Sequence, residues 1–437
     1  MFHTLVNKLA QICDFEPKGN TVTALAVIWR DGRICYVFAS NRRRTPALKN
    51  ARIGLKAFLD ILKSNLEAET RDSDEVMERR LLGEILSRNN VRVRSYLTAL
   101  AKELSTCIKK CDAAGVEGME ARDAMTRLAQ MLPDPNKDGQ KGDNYINSMI
   151  RFIEAIRENS TSPLRRYISA RAAEDDKMAK GGSWSTVRHV SGRLVAYQYA
   201  AQTPVQAHHI WADTELFRDF NIASVRSSQS YPAEALNLNP MTTEAIMHRA
   251  PGCTQAQVDA YKQHAAALQQ YLLDSKLERQ WKTRALDPIV HAEMLLHDWL
   301  ARTEGGIQAY RFFHNWRYIG TSKPVCRLCQ EYFHVIATPV RFRSGHPNTY
   351  LNWRLPDMYY VGGEDSAITT SSIERARRDW CEILGRMKGR VYAAVVQVLE
   401  EKVSDKKAHD SNTYTDKVSG VKEMDRLAGW LEHVQLG

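Results

Sequence analysis

His291-Ala292-Glu293, followed by Pro324-Val325-Cys326-Arg327-Leu328-Cys329, is the stretch on which the reading of this chain turns. One histidine, two cysteines and one glutamate are the parts of a catalytic zinc site, in which three ligands hold the metal and the fourth position stays open. A glutamate that is not a ligand can then move protons beside the metal. Cys-x-x-Cys by itself is a weak signal, because two buried helical thiols give the same pattern. Order and context strengthen it. Leu295, Leu296, Trp299 and Leu300 follow His-Ala-Glu at the spacing of a buried helix face, so a helix is expected to start near His291. Trp316 to Ile319 reads as a short strand, and a second helix is expected to open at Cys326 and run through Tyr332, Phe333 and Val335. Both half-motifs then sit at helix N-termini, where the dipole and free N–H groups favour thiolate over thiol.

The 437 residues are enough for two or three domains, and 43% apolar with 26% charged residues is ordinary globular composition. No window reaches transmembrane length, and Met1 to Lys8 lacks a basic region followed by an apolar core, so neither a membrane span nor a signal peptide is expected. The other cysteines (Cys13, Cys35, Cys107, Cys111, Cys253 and Cys381) show no disulfide-framework spacing, which points to a reducing, intracellular compartment, cytoplasmic or nuclear. Cys107 and Cys111, four apart in a helical segment with no histidine nearby, read as structural. A net charge of +10 suits a polyanionic partner without requiring one.

Outward from the motif, the N-terminus reads as a helix to about Cys13, then a strand over Val22–Trp29 and a return strand over Ile34–Ser40. Asp31-Gly32 between them is a strong hairpin turn. Helical spacing then dominates, with runs at about 91–113, 120–132, 144–159, 161–179 and 185–203. The stretch 206–250 is less regular, with Pro232 and Pro240 as breakers. Thr338–Arg343 resembles a strand, a long helix is expected over about 371–403, and a polar tail with a short terminal helix closes the chain.

H-x-E followed by P-C-x-x-C is the mark of zinc-dependent base deaminases. Here the proline stands one place early. Helix, hairpin, His-Ala-Glu helix, strand and Cys-x-x-Cys helix is also the element order of the cytidine-deaminase-like fold. The chain resembles the fungal-expanded OTT-type group of that superfamily. The resemblance rests on Ala39-Ser40-Asn41, His291-Ala292-Glu293, Ile319-Gly320-Thr321-Ser322-Lys323, Cys326-Arg327-Leu328-Cys329 and Tyr350-Leu351-Asn352-Trp353. It implies a three-layer α-β-α core with a mixed sheet, split in sequence by a large helical insertion. The expected division is 1–45 (first part of the core), 46–280 (insertion), 281–403 (second part, with the zinc site) and 404–437 (tail). The rival is a self-contained N-terminal domain, although an isolated hairpin is marginal without a sheet to join.

The resemblance also implies roles. His291, Cys326 and Cys329 would hold Zn2+, and Glu293 would shuttle protons in the hydrolytic deamination of a cytosine or adenine base, free or within RNA or DNA. Asn41 and the Ala292 amide would contact the substrate, Asn41 being otherwise a strand-ending turn residue. Trp353, Tyr350, His346 and Phe333 would line a base-stacking pocket or simply be core, with Trp353 at its rim. Lys323 would attract a phosphate or be solvated. Arg42, Arg43 and Arg44, with Lys49, Arg52 and Lys56, would guide a single-stranded nucleic acid or form a solvated helix face. His297 falls off the His291 face and reads as structural. A free nucleoside or nucleotide substrate, and a non-enzymatic interaction protein that keeps the fold and the zinc, stand as alternatives. The insertion would serve oligomerisation, lid formation or substrate selection.

Overall fold

In the computed structural model the described residues are 1–16, 19–111, 115–134, 143–159, 163–177, 182–229, 254–269, 274–275, 278, 287–346, 349–350, 352–357 and 370–401. Pro232, Pro240, Cys253 and the tail from 404 lie outside them. Among the described residues the fold is mixed α/β, with a five-stranded mixed sheet and twelve α-helices, consistent with a cytidine-deaminase-like core.

Helix α1 (Phe2–Ile12) leads into β1 (Thr23–Arg30) and β2 (Arg33–Ser40). Asp31 and Gly32 both have positive φ, 54° and 73°, as the tight hairpin turn requires. A helical run follows: α2 (Thr45–Glu67), α3 (Asp74–Arg88), α4 (Asn90–Cys111), α5 (Gly115–Met131), α6 (Asp143–Glu158), α7 (Pro163–Lys177) and α8 (Ser183–Ile210). Phe220–Ser224, inside the stretch read as a helical insertion, is a strand, β3. After α9 (Gln255–Leu268) come α10 (Ala292–Arg302), β4 (Tyr318–Thr321), α11 (Arg327–Val335), β5 (Arg341–Phe342) and α12 (Thr370–Glu401).

The sheet order is β3-β2-β1-β4-β5. β1 is antiparallel to both β2 and β4, through Ala24↔Thr321 and Leu25↔Gly320, whereas β2–β3 and β4–β5 are parallel. Strands from residues 23–40 and 318–321 therefore share one sheet.

The two-residue period of the strands divides the core. Leu25, Val27, Ile34, Tyr36 and Phe38 face α1 and the helical run in one large apolar cluster. Ala24, Ala26, Ile28, Cys35, Val37 and Ala39 face the other way and pack with Ala292, Leu296 and Leu300 of α10. The last three lie four apart, so they form one stripe of the helix. Three alanines on this sheet face leave room for α10 to lie close. Cys107 and Cys111 are fully buried in the first cluster, as structural thiols should be.

α1 is locked to β4 by Asn7, whose Oδ1 accepts from the Thr321 amide at 3.0 Å and the Tyr318 hydroxyl at 3.1 Å. The contact is so close that a Cβ on Gly320 would sit 2.7 Å from the Val6 carbonyl carbon. A buried polar knot lies at the same end of the sheet. Asp14 accepts from Thr21 Oγ1 at 2.8 Å and pairs with Arg92 at 3.1 Å, and its other contact is Ser322 Oγ at 3.1 Å.

Candidate metal centre

The cluster forms because two helices begin at the same place. His291 is the N-cap of α10 and Cys326 the N-cap of α11, both with extended backbone angles. Cys329 is then the third residue of its helix, and an N-cap side chain and the N3 position face each other at a helix start. Glu293, in the first turn of α10, points into the same space.

His291 Nδ1 lies 3.5 Å from Cys326 Sγ and 3.3 Å from Cys329 Sγ, and the two sulfurs are 3.5 Å apart. A disulfide would bring the sulfurs to about 2.05 Å. Tetrahedral zinc with ordinary Zn–S and Zn–N bonds places its donors roughly 3.5–3.8 Å apart. The triangle therefore fits one metal ion closely. With a Glu293 carboxylate oxygen added, all four donor atoms lie within 4.8 Å of one another, and all four residues are buried.

The electrostatics favour a cation. Burial pushes the Glu293 carboxyl above its ordinary value, partly offset by His291. Burial also drives Cys329 well up, and the neighbouring Cys326 and Glu293 add to it. The Cys326 thiol is held down, against burial, by the Cys329 hydrogen bond and by His291. For His291, burial lowers the value, but Cys326 and Glu293 more than reverse it. Ionising Cys329 and Glu293 is thus costly where water cannot solvate the charge, and a bound divalent ion would offset that cost.

The remaining expected residues fall into place unevenly. Asn41, at the end of β2, is buried; its Oδ1 accepts from the Ala292 amide at 2.9 Å and its Nδ2 donates to the Gly19 carbonyl at 3.3 Å. Two groups expected to contact substrate are here bonded to each other. Trp353 is half-buried, and its indole N–H donates to Cys329 Sγ at 3.3 Å and to Met294 Sδ at 3.1 Å. The Tyr350 ring lies 6.4 Å from the His291 ring and 5.6 Å from His346, beside the cluster. Phe333 is stacked on Phe342 at 3.7 Å and is core. Partly buried Lys323 acts on Asp14, whose carboxyl it helps to hold low.

The arginine triplet requires a correction. Arg43 is buried, with its guanidinium donating to Ser40 Oγ, Thr23 Oγ1 and the Cys13 carbonyl and lying over the Phe15 ring. It braces the hairpin and offers nothing to a phosphate. Arg42 is paired with Asp287, just before the metal helix. Only Arg44 of the three is exposed, together with Lys49, Arg52 and Lys56 on α2. His297 is buried and shares a 2.8 Å hydrogen bond with Thr338.

Sequence reasoning missed the serines after β3. Ser227 Oγ donates to the Ser40 carbonyl at 2.6 Å, and Ser228 Oγ accepts from the Val290 amide at 3.0 Å. They lace the end of β2 to the residue before His291, and no local pattern distinguishes them from loop serines. Asn352 was also missed: its backbone carbonyl accepts from the Ile289 amide at 3.4 Å and helps to raise the His291 pKa.

No helix among the described residues is long and apolar enough to cross a membrane. No curated protein and no solved structure matches the chain. Residues 290–357, the segment that holds all four cluster residues and Trp353, match the model of the OTT_1508-like deaminase family, a deaminase family of the cytidine-deaminase-like superfamily.

Proposed function

We propose that the chain is a zinc-dependent hydrolytic deaminase of a base bearing an exocyclic amine, cytosine or adenine. The observation that carries this reading is the triangle of His291 Nδ1, Cys326 Sγ and Cys329 Sγ, with a buried carboxylate beside it at the start of the same helix. Three protein donors and a fourth position left for water are the composition of a catalytic zinc site; a structural site closes with four. The deaminase family match over the same residues supports the reaction class.

His291, Cys326 and Cys329 would hold the ion, which when bound supplies the Lewis acidity that makes water reactive near neutral pH. Glu293 has the properties of the proton carrier. Its carboxyl is buried and its pKa raised, which makes it a better proton acceptor than an ordinary carboxylate. A Glu293 carboxylate oxygen takes a proton from water as the water oxygen bonds to the ring carbon bearing the amine. It delivers that proton to the ring nitrogen. The carboxylate then takes the remaining proton of the added hydroxyl and gives it to the amine; as the new C=O bond forms the C–N bond breaks, and ammonia leaves.

Asn41 serves this chemistry by holding the first amide of the metal helix. A base carbonyl would have to displace the Asn41 oxygen to reach the Ala292 amide. Trp353 and Tyr350 flank the cluster, and Arg44, Lys49 and Arg52 are exposed cations of the kind a polynucleotide substrate would meet.

Ammonia release from cytidine, adenosine, single-stranded DNA and single-stranded RNA tests the proposal, with Glu293→Gln as the control. We expect one of these substrates to yield ammonia and Glu293→Gln to lose the rate by about 100-fold or more while keeping its metal. Equal rates for the two proteins would remove Glu293 from the chemistry. Absence of ammonia from all four would remove the deaminase reading.

A further inference from the structure

The segment after the second half-motif does more than cover the site. Ile289, two residues before His291, bridges in parallel to Trp353: its amide donates to the Asn352 carbonyl at 3.4 Å, and its carbonyl accepts from the Arg354 amide at 2.9 Å. Residues 352–354 are thereby strapped to the start of the metal helix. From this strap two groups act on the cluster. The Asn352 carbonyl favours the protonated His291 imidazole. The Trp353 indole N–H points at Cys329 Sγ, with Met294 Sδ as its other acceptor.

An indole nitrogen is a donor only, and a thioether is a weak acceptor. A thiolate is charged and draws the N–H more strongly. We infer that Trp353 is a positioning residue for the metal centre, its indole N–H withdrawing electron density from the Cys329 sulfur and thereby tuning the acidity of the bound ion. This gives Trp353 a different task from lining a pocket, since its only polar group is shared between Cys329 Sγ at 3.3 Å and Met294 Sδ at 3.1 Å. The inference rests on the metal-site reading above.

Co2+ added to the full-length, metal-stripped protein is the probe. Cysteine sulfur bound to Co2+ gives a near-ultraviolet sulfur-to-metal charge-transfer band, and loss of a hydrogen bond to the sulfur moves that band to lower energy. Trp353→Phe keeps a ring and removes the N–H. We expect its band to shift to lower energy and its affinity for Co2+ and Zn2+ to fall roughly 10- to 100-fold, as for other outer-shell partners of metal ligands. Met294→Leu removes the competing acceptor, leaves the N–H to Cys329 alone, and should move the band the opposite way. An unshifted band in folded Trp353→Phe overturns the inference. If that variant does not fold, Met294→Leu decides: a shift to higher energy supports the inference and an unmoved band refutes it. A wild-type protein that develops no charge-transfer band at all fails the metal-site reading instead, so the two failures are distinguishable.

Discussion

The side-chain oxygen of Asn41 accepts the backbone amide of Ala292 at 2.9 Å, across 251 positions of chain. The Ala292 N–H is among the first of α10, a donor with no partner inside its own helix. The end of the hairpin thus caps the helix that carries His291 and Glu293. Asn41→Ala should cost about 0.5–2 kcal/mol, the range for loss of a capping oxygen. Asn41→Asp, which keeps an acceptor, should cost less. Urea midpoints read both, and equal midpoints for Asn41→Ala and wild type would show that the bond carries no stability.

Metal binding should stabilise the folded chain alone. With zinc at 100 times its dissociation constant, linkage raises stability by about 2.7 kcal/mol. The melting temperature should rise with zinc, fall with a chelator, and lose its zinc dependence in Cys326→Ser. Elemental analysis of the wild type should give about one zinc per chain. A melting temperature indifferent to zinc in the wild type would speak against a site built from these donors.

Gly320 marks where α1 presses on the sheet. A Cβ there would lie 2.7 Å from the Val6 carbonyl carbon and 2.8 Å from the Asn7 nitrogen, both backbone atoms. Gly320→Ala should destabilise by about 1–3 kcal/mol through overpacking. Denaturant unfolding measures it, and a change of only a few tenths would mean that α1 can move aside.

Asp14 gives the fold an acid limit. Burial raises its pKa, but Arg92, Lys323 and Thr21 together bring it below the ordinary value. Its folded pKa is below its unfolded one, so its contribution is present above about pH 4 and is lost as pH falls through the folded value. Asp14→Ala leaves Arg92 buried without its partner and should cost about 3–5 kcal/mol. Stability measured against pH should show a flatter acid limb in this variant. An unchanged limb would assign the acid loss elsewhere.

His297 acts over a higher window. Burial pushes its pKa down to about 4. The unfolded chain, with an ordinary imidazole near 6.5, binds the proton first, so stability falls as pH drops from about 6.5 toward 4. The full effect is about 2–4 kcal/mol at one pKa unit per 1.36 kcal/mol. His297→Gln should remove the pH dependence in that window while leaving the limb below it. Parallel curves for the two proteins would refute the assignment.

Local signals made much of this legible. The hairpin followed from β-branched residues around Asp31-Gly32, because a turn needing positive φ at two positions accepts few residues. The starts of α10 and α11 followed from apolar spacing after His291 and Cys326. Phe220–Ser224 was not legible: five residues with a partly exposed pattern become a strand only because the edge of β2 is there to pair with. Arg43 was misread because a run of three arginines looks like a surface feature. It goes inside because Thr23 and the Cys13 carbonyl, from distant places in the chain, and Ser40, three residues back, accept from its two terminal nitrogens.

By itself the sequence picked out the candidate donor set. His291, Glu293, Cys326 and Cys329 are the residue types a metal and a proton carrier require, and their spacing places them in the first turns of two helices. The tertiary structure decided that those two helix starts meet in a triangle of 3.3 to 3.5 Å, and that a hairpin from the N-terminus caps one of them. It also decided that Trp353 shares its N–H between Cys329 and Met294 and that two of three arginines are already engaged. Ligand chemistry is a property of residue type and can be read locally. Where a hydrogen-bond donor or a charge finds its partner depends on which distant segments the sheet brings together.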